Sequence, residues 1–326
     1  MSILVTGGAG YIGSHVVKLL RQRNENIVVL DNLSTGFADS VTQAELIVGD
    51  TGDADLVTNV LSTHKIDTVM HFAAHTIVPE SVTDPLKYYG NNTCSTRNLL
   101  SCCERAGVKH FIFSSTAAVY GNLPDGIARE DTPTAPINPY GSSKLMSEWM
   151  IRDLCNASDI ESVILRYFNV AGCDPEGTIG QRTKNATLLI KVACEVAVGK
   201  RDHLYVYGTD YDTKDGTGVR DYIHVNDLAQ AHLASLDYLR DGGDSVTLNC
   251  GYGHGYSVKE VIDAVNRYHG GKIGVIESER RLGDPPILIA NAELITKKLN
   301  WTPQLDNLDD IVQTSLEWER KLLSVE

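Results

Sequence analysis

Tyr140 and Lys144 stand four residues apart, downstream of a polar cluster, Ser114, Ser115 and Thr116, that closes an apolar run. On a helix, side chains at i and i+4 share a face, so the lysine ammonium is expected beside the phenol. A neighbouring cation favours the charged form of a tyrosine. Bringing a phenol from its ordinary pKa of about 10 to about 7 asks for about 4 kcal/mol of differential stabilisation, which a lysine and one further positive charge supply in a dry pocket. The expectation is a general base at Tyr140, tuned by Lys144 and working near neutral pH.

The second charge has a place near the N-terminus. TGGAGYIG, Thr6 to Gly13, follows an apolar run directly and opens a segment with Val16, Val17, Leu19 and Leu20 at helical spacing. In that context Gly7 permits a tight turn, Gly10 lets the backbone approach a pyrophosphate and Gly13 permits close helix packing, while the helix start presents unpaired N–H groups to the anion. The GxxGxxG spacing differs from the GxGxxG fingerprint, so the second strand decides. Asp31 ends the run Ile27 to Leu30, where a carboxylate can take both ribose hydroxyls and repel a 2′-phosphate; Asn32, Leu33, Ser34 and Thr35 add no positive charge. NAD is therefore the expected cofactor, and its oxidised nicotinamide ring carries the second positive charge.

Positioning such a site takes a sheet. Runs rich in Val and Ile recur at Ile3 to Val5, Ile27 to Leu30, Leu46 to Val48, Thr68 to Phe72, Phe111 to Ser114 and Val163 to Arg166, with helical-period segments between them. The pattern predicts an α/β fold, a doubly wound parallel sheet of the Rossmann type, with a smaller C-terminal substrate-binding lobe. The expected division is 1–170 for the dinucleotide half and 171–326 for the lobe, with 221–250 able to fold back on the first half. The clearest lobe helix starts at Ser257, capped with Glu260 and buried through Val258, Val261, Ile262 and Val265, and ends before Gly270.

A chain of 326 residues with 42% hydrophobic and 22% charged residues is ordinary for a globular protein, and its net charge of −13 disfavours nucleic acid as a partner. No apolar stretch is long enough to span a bilayer. Seven cysteines without a CxxC spacing read as reduced thiols, and with no export segment at the N-terminus the cytoplasm is the expected compartment. His71 and His75 have the spacing of a helical metal pair but follow a strand, so no metal is expected.

With these features in order, the chain resembles the extended short-chain dehydrogenase/reductases, and within them the 4-epimerases of UDP-sugars. The strings that carry the resemblance are DNLSTG at Asp31, HFAA at His71, SSTAAVYG at Ser114, NPYGSSKLMSE at Asn138, LRYFNVAG at Leu165 and GTGVRDYIHV at Gly216. Sister enzymes that dehydrate or decarboxylate carry acidic residues after the Ser/Thr cluster, where this chain has Ala117 and Ala118. The resemblance therefore implies interconversion of UDP-glucose and UDP-galactose through a 4-keto intermediate, with Tyr140 taking the 4-hydroxyl proton directly or through Thr116, and Lys144 holding the cofactor ribose. It implies cofactor contacts at Gly7, Gly10, Tyr11, Ile12, Gly13, Asp31, Asn32, Asp50, Thr51, Phe72, Ala73, Asn92, Ser114, Tyr140, Lys144 and Tyr167. Contacts to the sugar nucleotide are implied at Thr116, Tyr140, Asn169, Leu189, Tyr205, Tyr207, Arg220, Arg281 and Asp284, the two arginines clamping the diphosphate from two sides and Tyr207 stacking on the base.

Thr76 and Leu188 depart from the pattern, standing where relatives place a cofactor-contacting lysine and a polar diphosphate ligand. Leu288 occupies the position that gates the C2 substituent of the sugar, which keeps UDP-N-acetylhexosamines, and beside them UDP-uronic acids, as rival substrates. A dinucleotide-sensing module is the rival outside enzymes. The resemblance also implies a homodimer through the segments Asn92 to Arg105 and Tyr140 to Leu154.

Overall fold

The computed structural model describes residues 1–184, 186–281 and 284–325. Seven strands form one sheet: β1 (Ser2–Thr6), β2 (Ile27–Asp31), β3 (Glu45–Val48), β4 (Ile66–His71), β5 (His110–Thr116), β6 (Glu161–Tyr167) and β7 (Val246–Cys250). Their spatial order is β7-β6-β5-β4-β1-β2-β3, and every neighbouring pair is parallel. Buried strands of this kind need aliphatic side chains on both faces, and β1 and β2 are buried along their whole length. The third strand differs from the sequence expectation. Glu45 and Val48 are exposed, because β3 lies at the sheet edge.

Among the described residues, eight longer helices surround the sheets: α1 (Tyr11–Gln22), α2 (Ala54–Thr63), α3 (Ser95–Ala106), α4 (Pro139–Ala157), α5 (Leu189–Ala197), α6 (Val225–Arg240), α7 (Val258–His269) and α8 (Leu308–Val325). On one face of the large sheet Val16, Val17 and Leu20 of α1 pack with Leu228, Leu233 and Leu236 of α6. On the other, Val57, Val60 and Leu61 of α2 meet Leu99 and Leu100 of α3 and Ile151 of α4. The segment after residue 220 thus completes the first core, supplying both α6 and the seventh strand. Strand order reverses between β1 and β4, and in such sheets the crevice beyond the strand ends at that point receives the ligand.

A second core gathers Ile190 and Ala193 of α5, Val261 and Val265 of α7, and Ile311 and Val312 of α8. Ser257 caps α7 in a full capping box, and Gly270 ends it at a left-handed φ of +83°. Two short strands, Val219–Arg220 and Ile287–Ala290, pair in parallel, and the latter also pairs with Ile127–Ala128, which ties this region to the segment after β5. No helix among the described residues is long and apolar enough to cross a membrane.

Candidate active site

The glycine loop turns between β1 and α1. Gly7 has φ +70°, and a Cβ there would lie 2.5 Å from the Ala73 backbone nitrogen; a Cβ on Gly13 would lie 2.3 Å from the Gly7 carbonyl oxygen. Only glycine lets the loop close against β4 and the helix start against the loop. Gly10 caps α1 without any side-chain hydrogen bond, so the first-turn N–H groups are left to an outside acceptor. At the end of β2, Asp31 accepts hydrogen bonds from Ala9 N (2.9 Å) and Leu33 N (2.8 Å), which aims its carboxylate along the loop with lone pairs to spare. Asn32 Nδ2 donates to Asp50 (2.8 Å), joining the ends of β2 and β3. This donor-rich turn beside a fixed carboxylate fits the pyrophosphate and ribose of a dinucleotide.

The catalytic candidates rise from β5 and α4. Asn138 caps α4 by accepting from Gly141 N (2.8 Å), so Tyr140 falls in the first turn and Lys144 one turn later. Tyr140 faces the cavity beside Thr116, the last residue of β5, whose hydroxyl acts to lower the phenol pKa. Lys144 is buried, and its Nζ donates to the Ser114 carbonyl (2.8 Å) while lying 4.9 Å from the centre of the Phe113 ring. Tyr167 at the end of β6 donates to the Ser114 hydroxyl, so adjacent strand ends are tied together.

One electrostatic expectation is corrected here. Burial raises the Tyr140 phenol above its ordinary value, opposed only by the Thr116 hydroxyl, and Lys144 does not lower it. The lysine points at a backbone carbonyl of β5, and burial pulls its own pKa down to about 7, against the attraction of Glu148. Four-residue spacing put both groups on one face, but desolvation acts on each of them, and the protein's own charges leave the phenol protonated.

A cavity of about 780 Å³ runs past both features. Gly7, Gly10, Tyr11, Ile12, Gly13, Asp31, Asn32, Asp50, Thr51, Phe72 and Ala73 line one end, and Ser114, Thr116, Tyr140, Lys144 and Tyr167 form its wall. Asn169, Arg220, Asp284 and Leu288 line the remainder, as do Thr76 and Leu188, the two departures. Ala117 and Ala118 line it as well and offer no acid.

Five expected contacts do not line this cavity. Asn92 is buried in the helical turn Tyr89–Cys94, where its amide brackets the His75 backbone (2.8 and 3.0 Å) and donates to Ser143 (3.1 Å); it shapes the wall from behind. Leu189 starts α5 and packs on the second core. Tyr205 and Tyr207 lie on the short strand Leu204–Tyr207, their ring centres 6.0 Å apart, with Tyr205 largely exposed. The Arg281 guanidinium sits 3.8 Å from the centre of the Tyr207 ring, so the arginine and tyrosine engage each other. The two arginines are therefore not opposed across the cavity: Arg220 reaches it, and Arg281 covers Tyr207.

Other lining residues carried no readable signal. Lys87 and Glu80 form an ion pair (2.7 Å) on the cavity rim from two short helices that turn on proline, and His75 beside them is held below its ordinary pKa by burial first and Lys87 second. These residues meet across a turn, and neither helical nor strand period pairs them.

Comparison with known proteins agrees with this architecture. Residues 3–251 match the model of the NAD dependent epimerase/dehydratase family. The chain belongs to that family. A UDP-glucose 4-epimerase of Azospirillum brasilense is 53% identical over 321 residues, 98% of this chain and 92% of that one. Among solved structures, a UDP-glucose 4-epimerase from Brucella ovis in complex with NAD superposes with a TM-score of 0.93 at 41% identity, covering 97% of each chain. A UDP-Glc/GlcNAc 4-epimerase from Campylobacter jejuni gives 0.87 at 48% identity, covering 98% of this chain and 99% of that one. These solved structures thus match the second core as well as the parallel sheet.

Proposed function

We propose that this protein is an NAD-dependent isomerase that interconverts UDP-glucose and UDP-galactose by inverting C4 through a 4-keto intermediate. The observation that carries the reading is the placement of Thr116 and Tyr140 together, with buried Lys144 one turn away, on the wall of a cavity continuous with the glycine cradle. Bound in that cradle, oxidised NAD supplies a hydride acceptor and a positive ring charge. Tyr140 accepts the proton of the 4-hydroxyl, directly or through Thr116, and returns it after the ketose has turned within the cavity. Lys144 holds the cofactor ribose, and the ring charge of the bound cofactor offsets the desolvation that keeps the phenol protonated in the protein alone. Ala117 and Ala118 leave no acid for elimination, so the ketose is returned as the epimeric alcohol and no net redox occurs.

We assign the cofactor to the residues named above from Gly7 to Tyr167, Asn92 acting through the wall it shapes, and the UDP-sugar to Asn169, Leu189, Tyr205, Tyr207, Arg220, Arg281 and Asp284. Binding on this reading lifts Arg281 off Tyr207, freeing the ring for the base and the guanidinium for the diphosphate. Residues 1–170 with 221–250 make the cofactor half and the remainder the sugar-nucleotide half. A homodimer through α3 and α4 is supported by Met146 and Trp149, apolar side chains exposed on α4, and sedimentation of the purified protein tests it. The reading places the enzyme in the cytoplasm, in keeping with seven free thiols.

The test is incubation of purified protein with UDP-galactose, with chromatographic analysis of the sugar nucleotides and identification of the nucleotide released on denaturation. Equilibration with UDP-glucose and release of NAD are expected. Bound NAD without conversion of any UDP-sugar would point instead to a dinucleotide-sensing module.

A further inference from the structure

Behind the catalytic wall lies a charged side chain that the reaction as described does not use. Glu148 follows Lys144 by one turn on α4 and is fully buried. Its Oε1 accepts from Ser115 Oγ (2.5 Å) and Arg166 Nε (2.9 Å), and its Oε2 from Arg166 Nη2 (2.6 Å). Arg166, buried on β6, continues the chain through Nη1 to the Tyr120 hydroxyl (3.0 Å), which donates to Asn249 Oδ1 (2.6 Å) on β7. A buried carboxylate is costly unless every lone pair is used, and here a bidentate arginine and a hydroxyl use them. Ser115 stands between the two residues that matter most: Ser114, whose carbonyl takes Lys144, and Thr116, which meets Tyr140.

We propose that Glu148 is a positioning residue for C4 epimerisation: its carboxylate fastens the end of β5 at Ser115, so that Ser114 and Thr116 face Lys144 and Tyr140, and its charge, held in place by Arg166, supports the buried Lys144 ammonium. The proposal rests on the epimerase reading. The groups around Lys144 are Tyr140 and Glu148 on its own helix, His71 on β4, Ser114 on β5, and Arg166 and Tyr167 on β6. His71 is held neutral by burial, with its pKa lowered to about 3, and it hydrogen-bonds Thr6 and Thr96. Glu148 is thus the anion of this set, and its charge upholds the Lys144 ammonium against desolvation.

Three variants test this in the NAD-loaded protein. In Glu148→Gln the kcat for UDP-galactose at pH 8 falls about tenfold or more, while KM stays within about twofold. The titration midpoint of Lys144, followed by the ¹³Cε resonance in lysine-labelled protein and assigned with Lys144→Arg, moves to lower pH by about one pH unit, whereas Glu148→Asp leaves it near the parent value. The resonance reads the lysine independently of turnover, and parent activity in the same assay separates failure of the epimerase reading from failure of this one. An unmoved Lys144 midpoint in folded Glu148→Gln, with an active parent, overturns the proposal. Should Glu148→Gln not fold, Ser115→Ala decides: a several-fold lower kcat with an unmoved Lys144 midpoint supports the fastening role, and an unchanged kcat refutes it.

Discussion

The two ends of the candidate site are built differently. At the catalytic end, Thr116, Tyr140 and Lys144 sit on a strand terminus and a helix of the large core, backed by a buried network from Glu148 to Asn249. At the end proposed to take the nucleotide, outside the cavity lining, Tyr205 and Tyr207 stand on a four-residue strand and Arg281 just beyond its parallel partner Val275–Ser278, with Tyr205 exposed and Arg281 resting on a ring. Groups that move a proton require fixed geometry, because small displacements cost rate steeply. Groups that grip a nucleotide can be mobile and pay an ordering cost on binding. Stiffness is placed where chemistry is proposed, and adaptability where recognition is.

The comparison can be broken at its stiff end first. Tyr140→Phe is expected to lower kcat by about 10²–10⁴ with little change in KM, measured by UDP-galactose conversion, and near-normal turnover would remove the proposed base. At the adaptable end the effect shifts to KM. Arg220→Ala should raise the KM for UDP-galactose about tenfold while kcat falls less, since a phosphate contact of this kind binds ground and transition states alike; an equal loss in both would join Arg220 to the stiff region. Leu288→Ala, at the boundary between the two, should raise kcat/KM for UDP-N-acetylglucosamine several-fold relative to UDP-glucose, a gain at the low end of what pocket volume delivers.

The last expected effect concerns stability rather than rate. Lys144 has its folded pKa lowered to about 7 from its ordinary value of 10.5, so the unfolded chain binds the proton more readily. Its destabilisation is complete below about pH 7 and fades as pH rises toward 10.5. Lys144→Met should therefore flatten the rise in stability over that window, read as urea midpoints against pH, and parallel curves for parent and variant would mean that the buried ammonium carries no such penalty.

Much of the fold was legible because buried parallel strands announce themselves as Val and Ile runs, and six of the seven strands could be located from residues 3 to 166. The edge position of β3 was not, since Leu46 to Val48 is as apolar as an interior strand and only pairing decides how many faces are covered. Val246 to Asn249 reads as strand-like, but its place beside β6 depends on a helix and a lobe that intervene in the chain. Within the site, the glycine turn, Asp31 and the Tyr140 to Lys144 spacing follow from local geometry. The interplay of Arg281 with Tyr207, the burial of Asn92 and the bridge from Glu148 to Ser115 join residues on different elements, and no period relates them.

Sequence alone determined which groups could do chemistry here, because residue type and helical or strand period decide what a side chain carries and which local face it shares. Tertiary structure decided their charge states. Burial raises the Tyr140 phenol and lowers the Lys144 ammonium, and the direction of each follows from how much water the packed strands and helices exclude, a quantity that no local spacing contains.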